Sequence, residues 1–122
     1  MLILTEYIAK HELRPLQKHF VIKDILAGAT KVLKNLAIEI KPPANIANFR
    51  FFKVRIGGQV QGRMIVFVLT EGKKVVPILI RLKKDKIFGM NMAMNNQEVV
   101  RQLNNNLAHV LRDVQNKRFQ EF

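Results

Sequence analysis

There is no cysteine in this 122-residue chain. That absence excludes a disulfide framework and a thiolate metal site, and it fits a reducing compartment. No stretch approaches the roughly 18 consecutive apolar residues of a membrane span. The opening MLILTEYIAK has only Leu2 to Leu4 as an apolar run before Glu6, so it lacks the core of a secretory signal. The expectation is a cytoplasmic protein with no membrane partner. Histidine is scarce, and none of the three lies between residues 50 and 86. His11 and His19 flank Pro15 without a third ligand nearby, so no metal is expected. Gly57, Gly58 and Gly62 match neither a phosphate-binding loop nor a dinucleotide fingerprint. They are assigned to a turn, and no cofactor is expected. Acidic residues are also few: nine, against 21 Lys and Arg, for a net charge of +12. The natural partner of such a field is a polyanion.

Hydrophobic residues make up 48% of the chain, enough for a packed core in one domain spanning 1–122. Residues 1–49 read as helical after a possible short edge strand at Leu2 to Leu4. Pro15 interrupts Glu6 to Phe20, and suits the first turn of a new helix. Ile22, Ile25, Leu26, Ala29, Val32, Leu33 and Leu36 recur at three and four, which predicts an amphipathic helix ending near Ala37. Pro42 and Pro43 then punctuate the chain. Residues 50–82 read as a three-stranded antiparallel meander: RFFKVRI (50–56), RMIVFVLT (63–70) and VVPILIRL (75–82). Phe52, Val54 and Ile56 share one face of the first strand; Phe51, Lys53 and Arg55 share the other. The second strand is apolar on both faces and is expected to be central. Pro77 predicts an edge or a bulge, and Glu71 to Lys74 a hairpin connection. Residues 83–94 look irregular, with Met90, Met92 and Met94 filling a gap beside the core. Asn95 or Asn96 is expected to cap a final helix running to about Lys117. Its apolar stripe leaves His109 outside, as an exposed residue. The fold class is α+β, with N-terminal helices on a small antiparallel sheet and a longer C-terminal helix.

The charge is uneven. Residues 1–49 carry a net +3, residues 50–86 a net +8 and residues 87–122 a net +1. Lys53 and Arg55 share a strand face, Arg63 opens the next strand, and Arg81, Lys83, Lys84 and Lys86 leave the third together. Lysine also blocks sheet edges, and that explains Lys73 and Lys74. It explains Lys53, Arg55 and Arg63 less well, because their strands are strongly apolar.

The segment FFKVRIGGQVQGRMIVFVLTEGKKVVPILIRLKKDK resembles the meander of the RelE/ParE toxin superfamily. Lys53 and Arg55 match its alternating basic pair, Arg63 the arginine after a glycine-containing turn, and Arg81, Lys83, Lys84 and Lys86 its terminal basic cluster. The likeness covers residues 50–86 and is architectural elsewhere. It implies a RelE-like fold and the toxin of a type II toxin–antitoxin system, silenced by a cognate acidic antitoxin that wraps around it. The RelE-like branch implies an endoribonuclease acting on mRNA at the ribosome; the ParE-like branch implies a non-hydrolytic poison of DNA gyrase. A non-catalytic RNA- or DNA-binding module is a third reading. Two departures stand out. Phe88 occupies the place where RelE-like toxins often carry a tyrosine or histidine, and the final helix is longer than the family's.

Metal-independent RNA cleavage needs a base for the 2′-OH, cations for the anionic phosphorane and an acid for the leaving oxygen. Lys53, beside Arg55 and Arg63, is the candidate base, because neighbouring positive charge lowers a lysine pKa. Arg63 suits the phosphorane, since guanidinium grips phosphate oxygens in pairs. The catalytic candidates are therefore Lys53, Arg55, Arg63 and Arg81. Arg50, Lys83, Lys84 and Lys86 are the nucleic-acid-binding candidates, with Lys83, Lys84 or Lys86 able to supply the acid. Tyr7, the only tyrosine, would need the fold to carry it to the sheet.

Overall fold

Each half of the chain builds its helix from an apolar stripe and stops it with the same device. The computed structural model describes residues 1–41, 49–69, 73–85, 88 and 92–122. Lys86, Met90, Glu71, Gly72 and the Pro42–Pro43 pair, all singled out above, lie outside them. Helix α2 (Ile22–Leu33) buries Ile25, Ala29 and Val32. Its first turn is tied by Asp24, whose carboxylate accepts the Val21 N–H at 2.9 Å. Its stripe predicts a longer helix, but Asn35 takes φ 60°. The Leu36 N–H then reaches back to the Lys31 carbonyl and the Asn35 N–H to that of Val32. This paired closure ends the helix and leaves Leu36 exposed. Helix α3 (Gln97–Gln115) starts on Asn96, whose side chain accepts the Glu98 and Val99 N–H groups. It ends like α2, with Lys117 at φ 56° and the Arg118 N–H on the Asp113 carbonyl.

The N-terminal segment is less regular than a single helix. After β1 (Ile3–Thr5) come one α-helical turn, α1 (Glu6–Ile8), a π-helical stretch at Ala9–Leu13 and a tight turn at Arg14–Leu16 with Pro15 near its start. Pro15 thus occupies the tolerant first turn. Among the described residues the main sheet has four antiparallel strands rather than three, in the order β2 (Ile38–Ile40), β3 (Phe49–Ile56), β4 (Gly62–Leu69), β5 (Lys74–Leu82). Strand β4 is central, and Met64 to Phe67 are fully buried. A second ribbon pairs β1 with β6 (Phe119–Glu121), so the two ends of the chain meet. Among the described residues, no helix is long and apolar enough to cross a membrane.

Helix α2 lies on the face of β3 and β4 that carries Val54, Ile56 and Met64. A Cβ at Gly28 would sit 2.8 Å from Ile56 and 2.9 Å from Met64, so any side chain there would force these two to shift. Strand β5 is the sheet's outer strand and shows the expected irregularity at Pro77, where its register with β4 shifts between Ile65 and Val66. Its outward polar groups are closed one by one. The Val75 N–H donates to the Met1 carbonyl at 2.8 Å. Asn106 of α3, fully buried, donates its Nδ2 to the Ile78 carbonyl at 2.8 Å. The Ile80 N–H donates to Oε1 of Glu12, a carboxylate 2% exposed, and Arg81 donates to that same oxygen.

Asn106 is thus a lock on a buried strand edge. Asn106→Ala orphans the Ile78 carbonyl and should lower the unfolding free energy by about 1–3 kcal/mol in urea titrations. Asn104→Ala, on the exposed side of the same helix, should stay within about 0.5 kcal/mol of wild type. Equal losses would contradict the assignment.

Candidate nucleic-acid interface

Strand register, more than sequence proximity, assembles the cationic site. Arg55 of β3 pairs with Arg63 of β4, and Arg63 pairs with Arg81 of β5. Paired residues on neighbouring strands point to the same face, with Cβ atoms about 4.5–5.5 Å apart. Three arginines therefore stand side by side, at the end of the sheet that carries the 57–61 turn. Lys53, two residues back along β3, shares their face and pairs with Ile65 and with Ile38 of β2. Two unit charges about 5 Å apart repel by roughly 3 kcal/mol at an effective dielectric of 20. Such a row is costly without negative charge nearby.

The three arginines meet that cost differently. Arg55 is exposed to solvent. Arg81 is held: it is paired with Glu12, donates to the Ile80 carbonyl at 2.9 Å, and its guanidinium lies 4.4 Å from the centre of the Phe88 ring. Arg63, between them, is only 9% exposed. Its buried Nε has no hydrogen-bond partner among the described residues. Burial, and then the Arg55 charge, push the Arg63 pKa down, although a guanidinium stays charged. Burial, and then the Arg63 charge, hold the Lys53 ammonium below the ordinary lysine range.

The turn beside the row is rigidly built. Gly57 has φ +84°, and a Cβ there would lie 2.3 Å from the Val60 carbonyl oxygen. At Gly62 a Cβ would lie 2.4 Å from the ring of Phe20, which is buried beneath the turn. These two glycines are required by the turn. The Lys83 N–H donates to the Gln61 carbonyl at 2.9 Å, and Lys83 Nζ donates to Gln61 Oε1 at 3.2 Å. Two concavities flank the row. One, of about 360 Å³, is lined by Gln59, Val60, Gln61, Lys83 and Lys84. The other, of about 330 Å³, is lined by residues that include Lys31, Ile38, Lys53 and Arg55. A larger one, of about 500 Å³, lies away from the row and is lined by residues that include Glu6, Lys10, Arg14, Lys117 and Arg118. Those four cations are all exposed and well placed for water, so the row with its buried guanidinium is the stronger candidate.

Of the residues expected from sequence, Lys53, Arg55, Arg63 and Arg81 come together, with Lys83 and Lys84 just beyond the end of β5. Lys86 lies outside the described residues. Arg50 does not join them. By strand alternation it is on the opposite face, with its guanidinium 5.2 Å from the Phe52 ring centre and paired with Glu39 at 2.8 and 3.0 Å. Tyr7 is also elsewhere. Its ring stacks on His109 at 4.1 Å and lies 4.4 Å from His11, and its hydroxyl accepts from Asn105. His109 is therefore half-buried rather than exposed. Glu12, which positions Arg81, went unnoticed in the sequence because nothing local marks an acid in an irregular helix as the partner of a cation 69 residues away. No family model, curated protein or solved structure matches this chain.

The lowered Lys53 pKa has a consequence for stability. Between the folded value and the ordinary lysine value of about 10.4, the unfolded chain binds more protons at this group. Its contribution to stability therefore improves as pH rises through that window, and the full cost of burying the charge is present below it. Lys53→Met should raise stability at neutral pH and flatten the rise toward high pH relative to wild type. Urea midpoints for the two proteins across that range check this; parallel profiles would contradict it.

Proposed function

We propose that this chain is a RelE-like toxin of a type II toxin–antitoxin system: a metal-independent endoribonuclease that grips mRNA, on the ribosome, with the cationic face of its sheet. The observation that carries the reading is Arg63, a buried guanidinium flanked by two other arginines, with an Nε that no described residue engages. A buried donor left unpaired costs about 1–3 kcal/mol, and more when it is charged. A phosphate drawn onto the row would relieve that cost and the repulsion together.

The parts then take distinct roles. Arg63 and Arg55 face the scissile phosphate and stabilise the phosphorane as its negative charge grows. Lys53 takes the 2′-OH proton; its lowered pKa raises the fraction of free amine near neutral pH. The 2′-oxygen attacks the adjacent phosphorus, the bond to the 5′-oxygen breaks, and the products are a 2′,3′-cyclic phosphate and a free 5′-hydroxyl. Lys84, exposed beyond the end of β5, supplies the proton to the leaving oxygen or holds the backbone. Arg81 already has Glu12 as counter-charge and serves mainly to hold the row's edge. A cognate antitoxin would answer the row with an acidic segment, associating fast and in a salt-sensitive way.

The test is single-turnover cleavage of a labelled mRNA fragment, with and without programmed ribosomes. Arg63→Ala should lower the rate at saturating substrate by about 100-fold or more, as loss of an oxyanion-type donor does. Arg63→Lys should recover little, because an ammonium lacks the paired grip. Lys53→Ala should depress the rate at neutral pH and recover in part at high pH. Equal, small effects from all these changes would leave a binding surface without a catalyst. Unaltered RNA accompanied by gyrase-dependent DNA breakage would move the chain to the non-hydrolytic branch.

A further inference from the structure

Next to the arginine row lies a concavity whose polar chemistry differs from the row's. Its walls are the 57–61 turn and the residues just after β5, and it encloses about 360 Å³, within the range of about 300–1,000 Å³ typical of small-molecule sites. The floor offers apolar surface: Val60 is 37% exposed, and lysine stems add methylenes. A phosphate needs only charge. Apolar surface beside amide side chains suits a base.

The contact with Lys83 orients the amide of Gln61. Lys83 Nζ donates to Gln61 Oε1 at 3.2 Å. An ammonium has no acceptor, so the carboxamide oxygen must face the lysine. The Gln61 NH₂ therefore points away from Lys83, as a donor. The turn beneath it is pre-set by the Gly57 conformation, the Phe20 ring under Gly62 and the Lys83 N–H on the Gln61 carbonyl. Lys84, exposed at the same concavity, adds a second donor. The same concavity is thus lined by two side-chain donors, the Gln61 amide and the Lys84 ammonium.

We infer that this concavity is a base-reading subsite that selects a nucleobase presenting two adjacent hydrogen-bond acceptors. Guanine does so with O6 and N7, and cytosine with O2 and N3. Adenine sets its N6 amino group beside each ring acceptor of that edge, and uracil sets its N3–H between two carbonyls. Both leave a donor facing a donor. The subsite rests on the RNA reading above and deepens it: the row holds the phosphate, and the turn chooses which base lies next to it.

The experiment is fluorescence anisotropy with labelled hexaribonucleotides, five uridines and one central base that is varied. It needs no cleavage. Wild type should bind the guanine or cytosine oligonucleotide at least about five-fold more tightly than the adenine and uridine ones, the low end for one good paired contact. Guanine alone would identify the O6/N7 edge, and cytosine alone the O2/N3 edge. Gln61→Glu keeps an oxygen for Lys83, so the turn stays pinned, but replaces the outward donor with an acceptor. It should lose the preference, because the paired donors are gone and a donor beside an acceptor fits every base. Equal wild-type affinity for all four overturns the subsite and leaves the RNA reading intact. An unchanged order in Gln61→Glu overturns it too. Failure to bind any of the four overturns both.

Discussion

Cross-strand register is the constraint on which the rest of this structure depends. Because side chains alternate along a strand, a slip of one residue between β3, β4 and β5 would send Arg55, Arg63 and Arg81 to different faces. Several features hold them in line. Gly57 in the 57–61 turn and Gly62 just after it leave no room for a side chain, and Phe20 underpins both. Helix α2 meets β3 and β4 at Gly28, with no room for a methyl group. On the far side, Pro77 and the register shift absorb an extra residue in β5, beyond the arginines, so their alignment is undisturbed.

Aligning three cations would strain the sheet edge if nothing answered their charge. Glu12 answers part of it. A single buried carboxylate accepts from the Ile80 N–H and from Arg81, so it closes the strand edge and neutralises one end of the row together. Removing one member of a buried pair typically costs about 3–5 kcal/mol, so Glu12 belongs to the fold as much as to the site. No described residue gives the middle arginine such an answer. The row is therefore graded from a satisfied end at Arg81 through a buried, unanswered centre to an exposed end at Arg55. That gradient gives an incoming anion a defined place to sit.

Much of this was legible in the sequence, for physical reasons that also explain what was missed. Period-two alternation revealed the faces of β3, and an apolar run on both faces marked β4 as central. Asn95 or Asn96 marks the start of α3, and the structure places the cap on Asn96. What escaped depends on partners distant in the chain. Strand β2 is three residues, exposed along much of its length, and shows itself only by pairing with β3. Strand β6 exists because α3 ends at Gln115 and the left-handed Lys117 turns the chain back onto β1. The stripe of α2 continues to Leu36, yet the left-handed Asn35 closes the helix first. Arg50 resembled its neighbours in composition, but alternation puts it on the other face, where Glu39 neutralises it; that pairing lowers the Glu39 pKa and raises that of Arg50. Polar locks such as Asn106 and Glu12 have no local pattern at all.

The central claim is that the arginine row is held at a cost to the fold because an anion completes it. Its most direct test is the equilibrium stability of Arg63→Met in low salt with no polyanion present, where the apolar stem is kept and the buried charge removed. On the proposed function, its unfolding free energy should equal or exceed that of wild type, and it should lack the extra stability that a short RNA is expected to give wild type by mass action. A variant less stable than wild type by more than about 1 kcal/mol, still stabilised by RNA to the same degree, would contradict it: Arg63 would then be a structural residue, and the row an ordinary part of the sheet.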